Sequence, residues 1–261
     1  MLKPAAPARQ MFGLKIDALT LDDVIWYSRR AIENRQRLLI GVVNAAKVIN
    51  LRTDASLRES LMECDLVLAD GQSVVWAGVV LKQRLPERVA GIDIFQELLA
   101  LADAEHRSVY LLGARAEVLE KLVAVINQRY PGARVVGSRD GYFTEDESAG
   151  VAAKIREAGA DMLFLGITSP KKEIFLGTYG SQLDVPVLHG VGGSFDVLAG
   201  VTQRAPQLWQ RVGMEWAYRL KQEPSRLWRR YLNTNSRFVG LVVQEYRNRG
   251  GIGRKITKER S

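Results

Sequence analysis

Short runs of apolar residues recur along most of the chain at a spacing that is typical of an α/β domain. Six runs rich in Val, Leu and Ile cover residues 38–44, 66–70, 108–113, 134–138, 162–167 and 185–190. Several are almost continuously apolar, as expected of strands that are buried on both faces of a sheet. Helical patterns, such as those at residues 116–129 and 145–158, lie between most of the runs. This alternation predicts a layered α/β domain with a mostly parallel sheet.

The pattern changes near Pro206. Apolar residues then recur every four positions from Leu208 to Leu220, which predicts a helix. Pro224 is suited to the first turn of a second helix, where its missing N–H does no harm. No strand-like run of the earlier kind follows. The sequence therefore predicts a flexible tail, an α/β core and a basic helical appendage, at residues 1–10, 11–205 and 206–261.

The composition argues against disulfides, a zinc site and a membrane-spanning segment. The single Cys64 excludes an internal disulfide and is typical of a reducing cytoplasm. With only two histidines, His106 and His189, a zinc site built from His and Cys is not expected. No stretch reaches the roughly 18 apolar residues that a spanning helix needs, and the start of the chain lacks the apolar segment of a signal peptide.

Positive charge is concentrated at the C-terminal end. Residues 211–261 hold 13 Lys/Arg and 4 Asp/Glu, a balance of +9, whereas the whole chain carries +8. Such a segment can bind nucleic acid, an anionic membrane or a phosphorylated substrate. A nucleic-acid-binding arm remains an alternative, and a steep salt dependence of binding to arbitrary DNA or RNA would favour it. The aromatic residues of this segment fall mostly at helical spacing, which is more typical of a packed face.

Polar residues and glycines follow the predicted strands, at the edge where parallel sheets bind their ligands. Asp70 comes directly after one apolar run and Asn44 ends another. Asp70 is either a general base that faces the cleft or the N-cap of a helix that begins near Gln72, and both interpretations stay open. Glycines at strand ends are either turn residues or points where a phosphate or sugar approaches the backbone.

The sequence lacks two motifs that are common in enzymes that bind nucleotides. No two Asp residues are separated by a single residue, so the D-x-D metal motif common in nucleotide-sugar transferases is absent. A G-x-G-x-x-G fingerprint is absent as well, which argues against a dinucleotide-dependent oxidoreductase.

Taken in order, these motifs resemble the WecG/TagA/CpsF glycosyltransferases, also called glycosyltransferase family 26, from about residue 17 to residue 238. The matching pieces are residues 43–45, 69–71, 88–93, 140–143, 169–173, 190–196, 199–200, 204–206, 215–220 and 223–227. The most specific are Arg204-Ala205-Pro206, the piece that begins at Glu215-Trp216, and the piece that begins at Glu223-Pro224.

The resemblance implies a Rossmann-like core and an inverting, metal-independent transfer from a UDP-sugar to a saccharide on a polyprenyl diphosphate, with no cofactor. N-acetylmannosamine, its uronic acid, glucose and glucuronic acid are all candidate sugars. Asp70 falls on the family's proposed general base, and Asn44 falls beside it as the second catalytic residue. The substrate-binding residues are Arg88, Lys172, Arg219, Arg226 and Arg229. The nucleotide-binding residues are Gly113, Tyr142, Gly166, Gly192, Gly193 and Asp196.

The resemblance also implies a place in the cell and a set of partners. The appendage is expected to cover the active site and to attach the protein peripherally to the inner, cytoplasmic face of the membrane. Nucleic acid is not an expected partner, and the oligomeric state stays open. The chain departs from the family pattern at Val42, where a Thr is frequent, and at Lys172, where Gln is usual. A non-catalytic nucleotide-sugar sensor is a further alternative, which UDP binding without turnover would favour.

Overall fold

The computed structural model describes residues 8–168, 171–211, 213–222 and 224–258. Side chains are described throughout these ranges except at residues 173, 207, 211, 219, 222, 226, 227, 229–232 and 250–258.

The fold is built on one parallel sheet and a small hairpin. The hairpin pairs β1 (Ala8–Met11) with β2 (Leu14–Asp17), so residues 8–10, which the sequence assigns to the tail, belong to a strand. The described part of the sheet comprises β3 (Leu38–Val43), β4 (Leu66–Ala69), β5 (Ser108–Gly113), β6 (Arg134–Arg139), β7 (Met162–Gly166) and β8 (Val187–Gly190). The strand order is β4-β3-β8-β7-β5-β6, and every neighbouring pair is parallel. The predicted α/β fold with a parallel sheet is confirmed.

Helices connect and cover the strands. In chain order they are α1 (Leu21–Glu33), α2 (Ala45–Asn50), α3 (Ala55–Met62), α4 (Gln72–Val80), α5 (Gly91–Glu105), α6 (Ala116–Arg129), α7 (Glu145–Ala158), α8 (Lys171–Tyr179), α9 (Ser194–Leu198), α10 (Gln207–Arg211), α11 (Glu215–Gln222) and α12 (Pro224–Lys258). The pattern at residues 116–129 predicts α6 correctly. Thr144 and Glu147 form the expected capping box at the start of α7.

Both faces of the sheet are covered, which gives the layered Rossmann-like arrangement. Alternate side chains of a strand point to opposite faces, so Ile40 packs with α1 and α5 while its neighbour Leu39 packs with α7 and α8. A separate apolar cluster lies between β4, the hairpin and helices α2 to α4. The carboxyl ends of all six strands of the described sheet point to the same edge, as parallel pairing requires.

The last helix is attached to the core rather than lying apart from it. Phe238 of α12 is 5% exposed and packs in the same cluster as Val48 and Val74. Its ring lies 5.3 Å from that of Phe12, between centroids, and Glu245 accepts a hydrogen bond from the Phe12 backbone N–H at 2.8 Å. Among the helices that the structure describes, none combines the length and the apolar character needed to cross a membrane.

Candidate active site

Asn44 and Asp70 meet at the carboxyl edge of the sheet. They follow the neighbouring strands β3 and β4, whose last residues Val43 and Ala69 are paired. The Asn44 side-chain amide donates to Asp70 Oδ2 at 3.2 Å. Asn44 Oδ1 accepts from the Lys47 backbone N–H at 3.1 Å and so caps α2. Because that cap fixes the amide, its NH2 group is held toward the carboxylate.

The second oxygen of Asp70 lies at the start of another helix. Oδ1 accepts from the backbone N–H of Gly91, the first residue of α5, at 3.0 Å. The N-cap of α4 is Gly71, so the interpretation of Asp70 as the cap of the helix near Gln72 is wrong. The carboxylate instead complements the free N–H groups of α5, where negative charge is favoured. Asp70 thus has one donor on each oxygen and remains partly exposed at the sheet edge.

An ion-pair network includes Asp93, in the first turn of α5. Arg88 pairs with Glu215 at 3.0 Å and with Asp93 at 3.4 Å, and Arg204 pairs with Asp93 at 2.6 Å. All four side chains are between 15% and 25% exposed. We call these four residues the arginine–carboxylate quartet. Its members come from three of the sequence motifs that carry the family resemblance, so distant motifs converge on one place.

Within the quartet, the charge of Arg88 is already balanced by carboxylates. Both of its terminal nitrogens already face carboxylates, and the two positive and two negative charges balance. Arg204 Nε and Nη2 are buried without a well-directed hydrogen bond, although Nη2 lies 2.6 Å from Asp93 Oδ1. We treat that contact as an ion pair, because charge attraction at this distance does not require a linear N–H···O angle.

Gly113 and Gly166 have a packing explanation. Gly113 has φ +139°, and a Cβ there would lie 2.4 Å from the Gly166 carbonyl carbon. A Cβ on Gly166 would lie 2.5 Å from the Phe195 ring. Close strand packing therefore requires glycine at both positions, whether or not a nucleotide approaches them.

Gly192 and Gly193 differ from those two glycines, because they border open space. A Cβ at either would have no described atom within 4 Å. Gly192 has φ +53°, a conformation that favours glycine, and Gly193 is the N-cap of α9. The turn between β8 and α9 therefore leaves its backbone accessible.

Tyr142 and Asp196 are linked through Arg115, a residue that the sequence analysis missed. A hydrogen bond with Tyr142, with smaller effects of the Tyr142 and Asp196 charges, raises the pKa of Arg115 above its ordinary value. Tyr142 itself is 71% exposed. An exposed aromatic ring can stack on a base, and a guanidinium next to it can bind a phosphate. Arg115 therefore interacts electrostatically with both predicted nucleotide-binding residues, most strongly with Tyr142.

Two adjacent lysines at the start of α8 have different surroundings. Lys171 Nζ donates to the carbonyls of Gly141 and Phe143 and lies 3.6 Å from the Phe143 ring centroid. Desolvation lowers the pKa of Lys171, and the side chain fixes the loop that carries Tyr142. Lys172 packs over Gly190, where an added Cβ would lie 3.1 Å from its Cδ.

Lys172 and Lys47 border one cavity beside Asn44. Cys64 and Gly41 are also among its walls. Lys47 Nζ donates to the Val42 carbonyl at 2.8 Å. Burial raises the pKa of the Cys64 thiol to about 11, and the positive charges of the two lysines partly oppose that rise. Glu63 lines the cavity as well, so two ammonium groups and one carboxylate border it. The balance is one positive charge, to which Lys47, missed in the sequence, contributes together with Lys172.

Part of the predicted site lies outside the described residues. The backbones of α11 and α12 carry Arg219, Arg226 and Arg229, but the described structure omits these three side chains. Ser169 and Pro170, which precede Lys171, are outside it as well. Among the described side chains, no group of three His, Cys, Asp or Glu comes together as a metal ligand set.

Comparison with known protein families gives one finding. The sequence model of the glycosyl transferase WecG/TagA/CpsF family matches residues 9–251, nearly the whole chain. The match includes the Asn44–Asp70 pair, the quartet, α11 and most of α12. The resemblance stated from the sequence is confirmed.

Proposed function

Because the chain belongs to the WecG/TagA/CpsF family of glycosyl transferases, which make cell-surface polymers, we propose that it moves a sugar from a UDP-sugar to a polyprenyl-diphosphate-linked saccharide. The observation that carries this proposal is the Asn44–Asp70 pair. A carboxylate with one fixed donor on each oxygen is held at the sheet edge where α/β folds bind ligands.

In the proposed reaction Asp70 is the general base. It accepts the proton of the acceptor hydroxyl while that oxygen attacks the anomeric carbon of the donor. The bond from this carbon to the diphosphate oxygen breaks, and UDP leaves with the electron pair. Attack from the side opposite UDP inverts the anomeric centre. The Asn44 amide orients the carboxylate, so its oxygens need no rearrangement as the proton moves.

Negative charge develops on UDP as it leaves, and we assign its stabilisation to arginines. Arg219, Arg226 and Arg229 lie on α11 and α12, and a guanidinium binds phosphate with a rigid two-pronged geometry. The quartet supports this assignment, since Glu215, the first residue of α11, forms an ion pair with Arg88 at 3.0 Å. The same cations would replace a metal ion in charge stabilisation.

The cavity beside Asn44 suggests how the donor is selected. Lys172, Lys47 and Glu63 border it, and the balance of one positive charge favours an anionic group there, either a uronic carboxylate or a diphosphate oxygen. Lys172→Gln keeps a polar side chain but removes the charge. The substitution should shift preference toward neutral sugars if a carboxylate is bound, or raise the Michaelis constants of all donors if a diphosphate is bound. An unchanged donor profile with unchanged Michaelis constants would remove Lys172 from the donor site.

We propose that the protein works at an anionic membrane surface, where the acceptor's lipid is held. The basic C-terminal segment supports this, since each Lys or Arg near such a surface contributes roughly 1 kcal/mol. Sedimentation with vesicles that contain anionic lipid should be strong at low salt and weak at high salt. Equal sedimentation with neutral vesicles would contradict the electrostatic explanation.

The decisive experiment combines a donor screen with a base variant. UDP release from a panel of UDP-sugars is measured with a polyprenyl-diphosphate-linked acceptor. Asp70→Asn should lower transfer by about 10² to 10⁴ and leave UDP binding intact. Asp184→Asn is the matched control, because Asp184 is 76% exposed and pairs with Arg35 on the surface. Near-normal turnover by folded Asp70→Asn would refute the base assignment, and UDP binding without turnover on any acceptor would favour a sensor.

A further inference from the structure

A buried histidine touches the same helix start that holds Asp70. His189 lies on β8 and is fully buried. Its Nε2 is 3.0 Å from the Gly91 carbonyl oxygen, and its Nδ1 is 3.2 Å from the Ile40 carbonyl oxygen. The ring therefore bridges three elements, since Ile40 belongs to β3 and Gly91 begins α5.

Proton counting shows which of these contacts is a hydrogen bond. A neutral imidazole carries one N–H, so it can donate to only one of the two carbonyls. Desolvation lowers the pKa of His189 and outweighs the two backbone carbonyl contacts, which raise it. The positive charges of Lys47 and Lys172 lower the pKa slightly further, so the neutral ring is favoured near pH 7. We assign the proton to Nε2 because the Gly91 contact is the shorter one. A polar side chain at this buried position costs free energy unless it is paired, and the Gly91 carbonyl pairs it.

The other polar atom of Gly91 contacts Asp70. Its N–H donates to Asp70 Oδ1 at 3.0 Å, while its carbonyl accepts from His189. The side chains of His189 and Asp70 are thus linked through Gly91 and not by a hydrogen bond to each other. One residue of backbone therefore separates the buried imidazole from the carboxylate. A shift of Gly91 would change the length and direction of the hydrogen bond from its N–H to Asp70.

We propose that His189 is a positioning residue for Asp70: by holding the Gly91 carbonyl it fixes the N–H that orients the carboxylate during proton transfer. The inference rests on the proposed function, because it takes Asp70 as the general base. His189 acts through the backbone and contacts no reacting atom. A side chain of similar size without an N–H would fill the space but leave the first turn of α5 free to shift.

The test uses the full chain and three substitutions. His189→Met removes the donor, His189→Gln keeps an amide N–H able to reach Gly91, and Ser28→Ala is the control. Ser28 is equally buried and also donates to a backbone carbonyl, that of Val24, but this carbonyl belongs to α1 and not to the helix that holds Asp70. Each variant is measured for kcat, donor Michaelis constant and pH profile, and activity is normalised to the fraction that binds UDP.

We expect His189→Met to lower kcat by about ten- to a hundredfold, as small misplacements of a catalytic group do, with the donor Michaelis constant within about twofold. The acid limb of its pH profile should move to higher pH, since a weakened Gly91 donor stabilises the carboxylate less. His189→Gln should restore most of kcat, and Ser28→Ala should leave the pH profile unchanged. If His189→Met does not fold, His189→Asn replaces it, because its shorter side chain cannot reach Gly91.

Two results separate this inference from the function on which it rests. In an Asp70→Asn background, His189→Met should cause no further loss of kcat, since both changes act on one group. A wild-type kcat and pH profile for folded His189→Met, with Asp70→Asn inactive, would overturn the positioning role alone. Full activity of Asp70→Asn would overturn the assignment of Asp70 as the general base, whatever the His189 variants do, and UDP binding without turnover by the wild type would overturn the proposed transfer itself.

Discussion

Removal of the Phe238 ring should destabilise the protein strongly, because this side chain joins the C-terminal segment to the core. Phe238 is 5% exposed, whereas Val239, the next residue of α12, is 60% exposed. The ring packs against Phe12 of the hairpin turn at 5.3 Å between centroids. The free energy of unfolding of Phe238→Ala therefore reports how firmly α12 is held.

Buried Phe→Ala substitutions cost about 3–5 kcal/mol in general. We expect a value near the lower end, about 3 kcal/mol, because α12 lies at the surface and can move inward to reduce the cavity. With a urea dependence of about 2–3 kcal/mol per molar, the midpoint should fall by roughly 1–1.5 M. Val239→Ala, on the same helix but solvent-exposed, should change stability by less than about 0.5 kcal/mol.

The assay is urea unfolding followed by far-UV circular dichroism and by tryptophan fluorescence. The two probes should report one transition for wild type and for both variants. A Phe238→Ala midpoint within error of the Val239→Ala midpoint would refute the attachment of α12 to the core. Two separate transitions would show instead that α12 unfolds independently of the sheet.

Three further outcomes are expected. Transfer activity should survive a strong chelator, since the sequence lacks D-x-D and we assign charge stabilisation to arginines; loss that magnesium or manganese restores would contradict this. Gly113→Ala should lower the melting temperature well below that of Gly150→Ala, because a Cβ at Gly113 would lie 2.4 Å from Gly166 whereas one at Gly150 in α7 meets open space. Burial lowers the pKa of His189 in the folded state, so the imidazole binds a proton more readily in the unfolded state. The contribution of His189 to stability is therefore present above about pH 6.5 and is lost as the pH falls below that value. Urea midpoints between pH 7.5 and pH 5 should therefore fall less steeply in His189→Gln than in wild type.

Most of the sheet could be predicted from sequence because β3, β4, β5, β7 and β8 are buried at nearly every position, whereas the edge strand β6 alternates between exposed and half-buried residues. Five of the six apolar runs contain the whole observed strand, the run at residues 134–138 stops one residue before the end of β6, and the ends differ by at most two residues. The hairpin at residues 8–17 could not be predicted, since two four-residue strands carry too short a pattern to separate from a tail. Its stability depends on distant partners, such as the Phe12–Glu245 hydrogen bond across 233 residues of sequence.

The juxtaposition of Asn44 and Asp70, the proposed catalytic pair, could be predicted from the sequence, but the residues that support it could not. Consecutive parallel strands usually lie side by side, so residues that follow β3 and β4 are expected to meet. That Asp70 is held by α5 rather than by α4 depends on where the chain re-enters after Val89, which no local pattern determines. His189 and Arg115 act through backbone or aromatic partners far along the chain, so their residue types alone carry no signal.

The attachments of the C-terminal segment give a physical reason for its involvement in transfer. Glu215 joins α11 to Arg88, which pairs with Asp93 in the first turn of α5, the helix whose first N–H holds Asp70. Phe238 joins α12 to the cluster that contains α2, the helix that Asn44 caps. The segment is therefore fastened to the two helices whose N-terminal ends orient the proposed catalytic pair. A displacement of α11 would act on α5 and a displacement of α12 on α2, so we expect binding of the segment to a diphosphate or a membrane to be coupled to the geometry of the Asn44–Asp70 pair.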